Sequence, residues 1–303
     1  MIFYVVFYSA AFFLFYYLID RIVKKNRQSK SKSDNDSRSR SALTPRTVTY
    51  TTPTGMVKAL YVDALRQSHL LIAGCQGSGK SVLINGLINT LLYRLPFDKA
   101  YCENQDGAQL ILIDPKRVEL AAYAKLPHTL AHAAGFNPEA WVSALQKAVS
   151  IMDNRYSYME RAGLKKYDRG DLYVIIDEWA AVYKNGGKDA YKLVLRLISE
   201  GRAARVHVIM ATQVPKANII PTEIRENFDA RFCLRTANAI QSRVIMENDG
   251  CESLPRYGQG FYVTPEGTSL YKIPYIQEDE INRNIAWWED QMQQNGINPR
   301  KAA

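Results

Sequence analysis

The feature that most constrains the fold of this chain is an eight-residue loop, Gly74-Cys75-Gln76-Gly77-Ser78-Gly79-Lys80-Ser81. It has the spacing G-x-x-x-x-G-K-[ST] and stands between an apolar run, His69–Ala73, and a helical pattern, Lys80–Tyr93. Glycines let successive backbone N–H groups point into one concavity, and the N-terminus of the following helix attracts the same anion. The pattern therefore predicts a strand, a phosphate-binding loop and a helix.

Two side chains of this loop have predicted roles in nucleotide chemistry. The Lys80 ammonium can reach the β- and γ-phosphates, and the Ser81 hydroxyl can ligate Mg²⁺. Cys75 contributes its backbone N–H, and its thiol is not expected to take part. We therefore expect ATP and Mg²⁺ as the ligands of residues 74–81.

An acidic pair and an amide follow two other apolar runs. Asp177 and Glu178 come directly after Leu172–Ile176, and Gln213 follows Ala211-Thr212. Beside a phosphate loop, Asp177 is predicted to hold Mg²⁺ through water and Glu178 to polarise the attacking water as general base. Gln213 is predicted to sense the γ-phosphate. The alternatives are a helix N-cap with an acid in the first turn for the pair, and an ordinary strand-end residue for Gln213.

Short apolar runs alternate with helical patterns from about Thr54 onward. Strands are predicted at His69–Ala73, Ala108–Asp114, Leu172–Ile176, Val206–Ala211, Arg231–Leu234 and Gly260–Val263. Helices are predicted at Lys80–Tyr93, Pro138–Ala162, Lys188–Ala203 and Ala237–Glu247. Nearly continuous apolar strands separated by helices indicate a parallel sheet covered on both faces. The expected fold class is α/β, in one domain.

The beginning of the chain predicts a membrane anchor. Ile2–Ile19 is a run of eighteen residues without a charged side chain. As a helix rising about 1.5 Å per residue it would cover roughly 27 Å, close to the hydrocarbon thickness of a bilayer. A signal peptide would need a basic segment before the run and a small-residue cleavage site after it; a buried core helix is the other alternative. We expect a single transmembrane helix over residues 1–20.

Most of the positive charge follows that run. The formal net charge is +9, and nine Lys and Arg against three Asp between Asp20 and Arg46 place +6 of it in this stretch. The stretch is rich in Ser and poor in large apolar groups, which predicts a disordered basic linker at 21–53. By the positive-inside rule, the rest of the chain would lie in the cytoplasm, anchored to the cell membrane. The net charge is therefore not by itself evidence for DNA binding.

Four cysteines, at positions 75, 102, 233 and 251, are widely separated. None forms a C-x-x-C motif, and no His stands at zinc-ligand spacing from them. We expect neither a disulfide framework nor a structural zinc site, and a reducing compartment is the favoured setting.

Motifs outside the phosphate loop resemble those of the FtsK/SpoIIIE family of hexameric DNA-pumping ATPases. They are Ile113-Asp114-Pro115-Lys116, Glu119-Leu120, Leu126-Pro127-His128, Met152-Asp153-Asn154-Arg155-Tyr156, Gly201-Arg202-Ala203-Ala204, His207, Pro215, Ile224, Asn227, Arg231 and Ser242-Arg243. The resemblance covers about residues 55–263. It implies a RecA-like P-loop motor domain over 54–275, followed by a polar helical tail at 276–303.

The resemblance also implies roles for basic residues. Arg202 matches an arginine finger that reaches the γ-phosphate of a neighbouring subunit; the alternative is an Arg that complements the dipole at a helix C-terminus. Arg243 matches a pore-loop residue that contacts the DNA backbone, and Lys216 follows the segment that matches the other pore loop. The chain departs from the family pattern at Val214 and Ala239, where basic residues are usual, at Arg205 (usually Gly) and at Gln259 (usually Asp).

Together with the predicted anchor, this resemblance implies a membrane-anchored, ATP-driven translocase of double-stranded DNA that forms a homohexameric ring. Its expected role is DNA transfer, in conjugation or by a mobile element, or DNA segregation. The alternatives are a secretion-system motor that acts on protein substrates and an adaptor in which nucleotide binding drives only assembly. The full set Lys80, Asp177, Glu178, Gln213 and Arg202 favours hydrolysis over the adaptor, because an adaptor has no need of a water-activating carboxylate.

Overall fold

The computed structural model describes residues 49–52, 55–58, 65, 67–94, 108–273 and 275–294. The membrane span predicted at Ile2–Ile19 lies outside these residues. None of the described helices is both long and apolar enough to cross a membrane. Thr49–Thr52, the last part of the segment predicted as a linker, is a strand that pairs with Gly55–Lys58 in an antiparallel hairpin.

Strands and helices alternate through the described residues. The strands are β1 (Thr49–Thr52), β2 (Gly55–Lys58), β3 (His69–Ala73), β4 (Gln109–Asp114), β5 (Thr129–Ala134), β6 (Leu172–Ile176), β7 (Val206–Thr212), β8 (Ala230–Leu234), β9 (Gln259–Thr264) and β10 (Gly267–Lys272). The helices are α1 (Lys80–Arg94), α2 (Pro138–Ala162), α3 (Trp179–Glu200), α4 (Thr222–Arg225), α5 (Ala239–Met246) and α6 (Glu278–Gln294), with 3-10 turns at Ala121–Tyr123 and Cys251–Ser253.

Eight of the described strands form one mixed sheet in the order β10-β9-β8-β3-β7-β6-β4-β5. The six strands from β8 to β5 in this order are parallel to one another, and β9 and β10 add an antiparallel edge. The predicted α/β class with a mostly parallel sheet is confirmed. The six predicted strands agree with the observed ones to within one residue at each end.

The sheet is buried between two layers of helices. Alternate residues of the central strands face opposite layers: Leu71 belongs to the core cluster that contains residues of α2 and α3, whereas Leu70 belongs to the cluster that contains residues of α1 and α6. Trp141 and Trp179 are fully buried in the first layer, and Trp288 of α6 is almost fully buried in the second. Burial on both faces explains why the central strands are nearly continuous apolar runs.

The helix predicted at Lys188–Ala203 corresponds to the second part of a longer helical segment. This segment begins at Trp179 and ends at Glu200, and its helical dihedral angles are interrupted at Gly187, where φ is 63°. The predicted start, Lys188, is the residue after this kink, whereas the first part of the segment, from Trp179 to Gly186, was not predicted. The edge strands β5 and β10, in which most residues are only partly buried or exposed, were not predicted.

One disulfide differs from the sequence expectation. Cys233 on β8 and Cys251 in the following 3-10 turn are joined, and both side chains are fully buried. Their separation of 18 residues in sequence gave no spacing signal of the kind that marks a disulfide framework. Cys75 is a free thiol.

Candidate nucleotide site and the loops around it

The predicted residues of the nucleotide site lie at the carboxyl edge of the sheet, except for Arg202. The phosphate loop follows β3, Gln213 follows β7, and Asp177-Glu178 follows β6. These strands are parallel and adjacent in the order β3-β7-β6, so their carboxyl ends meet at one edge. Ligands of open α/β sheets bind at such an edge.

The phosphate loop is held in shape by its own glycines and by neighbouring strands. Gly77 and Gly79 have φ angles of 71° and 102°, in the left-handed region that favours glycine. The backbone N–H of Cys75 donates to the carbonyl of Arg235 at 2.7 Å, which fixes the loop to the segment after β8. A Cβ atom on Gly74 would lie 2.5 Å from the Ser78 hydroxyl, so this position also requires glycine.

Lys80 is buried at the start of α1, with 6% of its surface exposed. Its Nζ donates to the carbonyls of Gly74 at 2.7 Å and Cys75 at 2.8 Å. Burial lowers the pKa of this ammonium to about 8, against the opposing effect of Glu178. The buried positive charge of Lys80 and the N–H groups of the loop make this a suitable binding site for a phosphate.

The Glu178 carboxylate faces the end of β7. Its Oε1 accepts hydrogen bonds from the Thr212 hydroxyl and the Gln213 N–H, both at 3.1 Å. Its Oε2 lies 3.3 Å from Nζ of Lys116, which follows β4. Glu178 is the N-cap residue of α3, but its side chain makes no capping hydrogen bond. The capping alternative therefore does not describe this side chain.

Asp177 lies in a cluster of carboxylates. It is buried, and burial followed by the charges of Glu119 and Asp114 raises the pKa of its carboxyl to about 7. The negative charge of these neighbouring carboxylates would favour binding of a divalent cation. Ser81 and Asp177 are its predicted ligands. No three His, Cys, Asp or Glu side chains in the described part of the chain are grouped to hold a metal by themselves. Proteins often bind Mg²⁺ through one or two carboxylates together with substrate phosphates.

Arg202 lies at the opposite edge of the sheet from the phosphate loop. It follows Gly201, the C-cap of α3, and precedes β7, whose Val208 pairs with His69 at the start of β3. Burial, then the charges of His207 and Arg202, lowers the pKa of His69 to about 3, which places Arg202 near the start of β3. A five-residue strand separates the two edges by on the order of 15 Å. The structure therefore does not bring Arg202 to the loop of its own subunit.

The loop that presents Arg202 is braced by a polar network that was not predicted. Arg205 has a φ of 54°, which explains why Gly is usual there, and its guanidinium makes two hydrogen bonds of 2.7 Å to Asp171. The His207 Nε2 lies 2.9 Å from the same carboxylate. Arg155 donates to the carbonyls of Ala204 and Arg205, both at 2.9 Å. The ion pair offsets the conformational cost of a non-glycine residue at this position.

Replacing Asp171 with Asn is expected to lower the free energy of unfolding by about 1–3 kcal/mol at pH 7. Burial by itself would raise the pKa of Asp171, but hydrogen bonds from His207 and Arg205 hold it well below its usual 3.8. A depressed pKa in the folded state gives stability that is present above the unfolded value of about 4 and is lost as the pH falls below it. Urea unfolding at several pH values should show the difference from wild type shrinking in acid.

Asp153→Asn is the matched control for this measurement. Asp153 also pairs with an arginine, Arg196, but both side chains are more than 40% exposed. Its replacement should cost less than about 1 kcal/mol, since exposed ion pairs contribute little. Equal effects of the two substitutions would contradict a special role for the Asp171 network.

The two predicted DNA contacts are exposed. Lys216 lies in the loop after β7, and its backbone carbonyl accepts hydrogen bonds from Ile219 and Ile220 at 2.9 Å. Arg243 lies on α5 with 61% of its side chain exposed, and its Nε is 2.7 Å from the Asp249 carboxylate. A phosphate would have to compete with Asp249 for Arg243.

Lys116 also lies at the nucleotide site, although no chemical role was predicted for it. Its ammonium lies 3.3 Å from Oε2 of Glu178. Burial lowers the pKa of Lys80 and the charge of Lys116 adds to this effect, whereas the same charge opposes the burial that raises the pKa of Asp177. The signal for Lys116 was present in the Asp114-Pro115-Lys116 segment at the end of an apolar strand, but that segment was assigned no chemical role.

Comparison with known sequences identifies related proteins. The sequence profile of the FtsK/SpoIIIE family matches residues 35–253. The chain is 35% identical over 238 residues to the DNA translocase FtsK of Helicobacter pylori strain ATCC 700392 / 26695, covering 74% of this chain and 27% of that protein. It is 31% identical over 278 residues to the DNA translocase FtsK of Rhizobium meliloti strain 1021, covering 77% and 30%. The chain thus spans less than a third of the length of these relatives.

Comparison with solved structures shows the same type of fold. The pCW3 conjugation coupling protein TcpA, in a monomer form with ATPγS, superposes with a TM-score of 0.62 and 22% identity, covering 80% of this chain and 71% of that one. The cytoplasmic domain of the type VII secretion ATPase EccC of Thermomonospora curvata gives a TM-score of 0.62 and 20% identity, covering 73% and 28%. From the phosphate loop, the acidic pair after β6 and the match over residues 35–253, we conclude that this chain belongs to the FtsK/SpoIIIE family.

Proposed function

We propose that this chain hydrolyses ATP and uses the energy to move double-stranded DNA. The observation that supports hydrolysis most directly is the position of Glu178, whose carboxylate accepts hydrogen bonds from Thr212 and Gln213 at the edge that also holds Lys80 and Asp177. A buried, fixed carboxylate beside a phosphate loop is what general-base activation of water requires. The FtsK relatives support DNA as the substrate.

In this proposal the loop residues bind the triphosphate. The backbone N–H groups of residues 76–81 donate hydrogen bonds to phosphate oxygens. The Lys80 ammonium exchanges its two carbonyl partners for phosphate oxygens. Glu178 accepts a proton from water as that water forms a bond to the γ-phosphorus. The bond to the β–γ bridging oxygen breaks, and ADP and inorganic phosphate are the products. Ser81 and, through water, Asp177 would hold Mg²⁺, which would supply positive charge that stabilises the negative charge on the phosphates.

The position of Arg202 supports an active site shared between subunits. Because Arg202 and the phosphate loop lie at opposite edges of the sheet, Arg202 can serve as an arginine finger only for another subunit. A head-to-tail contact between identical subunits closes into a ring when its rotation is a whole fraction of a turn. We propose a homohexamer, the form that the family resemblance implies, with Arg202 stabilising charge on the γ-phosphate of the neighbour.

DNA would be gripped through its backbone. Lys216 and Arg243 are exposed on loop and helix segments that follow β7 and β8, and they match pore-loop positions of the family. Phosphate contacts carry no sequence information, which suits a motor that moves along any sequence. Only +3 of the formal charge lies outside the basic stretch, so a few placed residues and not the bulk charge would provide the grip.

We also propose that the run Ile2–Ile19 anchors the chain in the cell membrane and that the basic stretch behind it keeps the ATPase domain in the cytoplasm. A role in DNA transfer, in conjugation or by a mobile element, or in segregation would suit this arrangement. The likeness in fold to a conjugation coupling protein supports a transfer role; partners in a transfer machinery are then expected. The likeness to a secretion ATPase supports the second candidate, a motor that acts on protein substrates.

DNA-stimulated turnover of the purified chain separates these candidates. Linear duplex DNA should raise the ATPase rate about tenfold or more, and a double substitution, Lys216→Ala with Arg243→Ala, should remove most of that stimulation at physiological salt while leaving basal turnover unchanged. Arg196→Ala, an exposed arginine on α3, serves as the control and should keep the stimulation. If duplex DNA has no effect and a secreted protein raises turnover instead, the DNA-motor proposal is wrong.

A further inference from the structure

The groups expected to face the γ-phosphate lie on one side of the phosphate loop. Gln213 and Glu178 follow β7 and β6, and in the sheet order β8-β3-β7-β6 both strands are on the same side of β3. A nucleoside triphosphate is elongated, with its γ-phosphate at one end and its base at the other. If the γ-phosphate faces β7, the base must leave the loop on the opposite side, over β8 and β9.

Two exposed side chains stand on that opposite side. Arg256 and Tyr257 come just before β9, whose Gly260 pairs with Leu234 at the carboxyl end of β8. An atom at the Cβ position of Gly77 would lie 3.6 Å from Nε of Arg256 and 3.8 Å from Cε1 of Tyr257. Both side chains therefore lie directly beside the phosphate loop.

The segment that carries these side chains is fixed in position. Gly258 has a φ of 76°, which turns the chain into β9, and its carbonyl accepts a hydrogen bond of 2.7 Å from the N–H of Ile273. The guanidinium of Arg256 lies 5.5 Å from the centre of the Tyr257 ring. Tyr257 is 65% exposed, so its ring is accessible to a ligand.

We propose that Arg256 and Tyr257 form a nucleotide subsite, in which the Tyr257 ring stacks on the base and the Arg256 guanidinium contacts the phosphates. This assignment rests on the proposed function, since it requires that the loop bind a nucleoside triphosphate. Stacking on an aromatic ring accepts any base, because every base has a π-face. The subsite therefore contributes affinity without selecting adenine over guanine.

Calorimetric titration of the purified full chain with two probes tests the proposal. The probes are ATPγS, which has a base, and inorganic tripolyphosphate, which has none. Tyr257→Ala should weaken ATPγS binding about tenfold and leave tripolyphosphate binding unchanged. Tyr257→Phe, which keeps the ring, should bind both probes with dissociation constants within about twofold of the wild-type values. Arg256→Ala should weaken both probes by about three- to tenfold, as loss of one charge-assisted contact does.

Trp287→Ala is the control, since Trp287 is also an exposed aromatic residue but lies on α6. The proposal is overturned if Tyr257→Ala binds ATPγS as wild type does, or if it loses tripolyphosphate to the same extent, because the loop itself would then be altered. An effect of Tyr257→Ala on DNA binding with nucleotide affinity unchanged would assign the ring to a DNA contact and also overturn it. If the wild-type chain binds neither probe, the proposed nucleotide function fails before the subsite is tested.

Discussion

Glu178→Gln is expected to stop ATP hydrolysis while leaving ATP binding in place. The amide keeps one oxygen that can accept from Thr212 and Gln213, but it cannot take a proton from water, and its NH₂ group cannot accept from Lys116. Loss of a general base costs about 10²–10⁴-fold in rate. The measurement is steady-state phosphate release at saturating ATP and Mg²⁺, together with titration of ATPγS against the same preparation.

Glu200→Gln is the matched control for this substitution. It makes the same chemical change at the other end of α3, where Glu200 is exposed and pairs with Arg196. It should leave phosphate release near the wild-type rate. Hydrolysis by Glu178→Gln at more than about a tenth of the wild-type rate would be incompatible with a general base at this position, because the remaining loop contacts bind phosphate without activating water.

The centre of the sheet was predictable from the sequence for a physical reason. β3, β4, β6 and β7 are covered by helices on both faces, so nearly every residue in them must be apolar and the run ends where the strand ends. β5 and β10 lie at the edges of the sheet, most of their residues are only partly buried or exposed, and their sequences carry no comparable signal.

The candidate site was predictable to the same degree. The phosphate loop and the acidic pair stand in fixed relation to buried strands, and parallel strands bring their carboxyl ends together. Lys116 and Arg256 could not be assigned in this way, because what they contact depends on how β4 and β9 are arranged next to β6 and β8. The order of strands is a property of tertiary packing, and local pattern does not contain it.

Arg202→Ala is expected to lower ATP turnover at least about a hundredfold while leaving ATPγS binding to each subunit unchanged, since an arginine finger acts on transition-state charge. The reason is geometric: Arg202 is exposed at the edge of the sheet opposite to the phosphate loop, so its removal does not disturb the loop of its own subunit. Near-normal turnover of this variant would instead support the alternative that Arg202 complements the dipole of α3.

A mixing experiment tests whether Arg202 acts between subunits. Lys80→Ala and Arg202→Ala chains should each be inactive, because every interface in a uniform ring lacks one of the two groups. In rings assembled from equal amounts of both, an interface with an intact loop on one side and an intact arginine on the other forms at about a quarter of the positions, so turnover should recover up to that level. Mixing Arg202→Ala with the Lys80→Ala, Arg202→Ala double variant creates no such interface and must stay inactive. Equal activity in the two mixtures would mean that Arg202 does not act on the site of a neighbouring subunit. The trans-acting arginine finger would then be wrong.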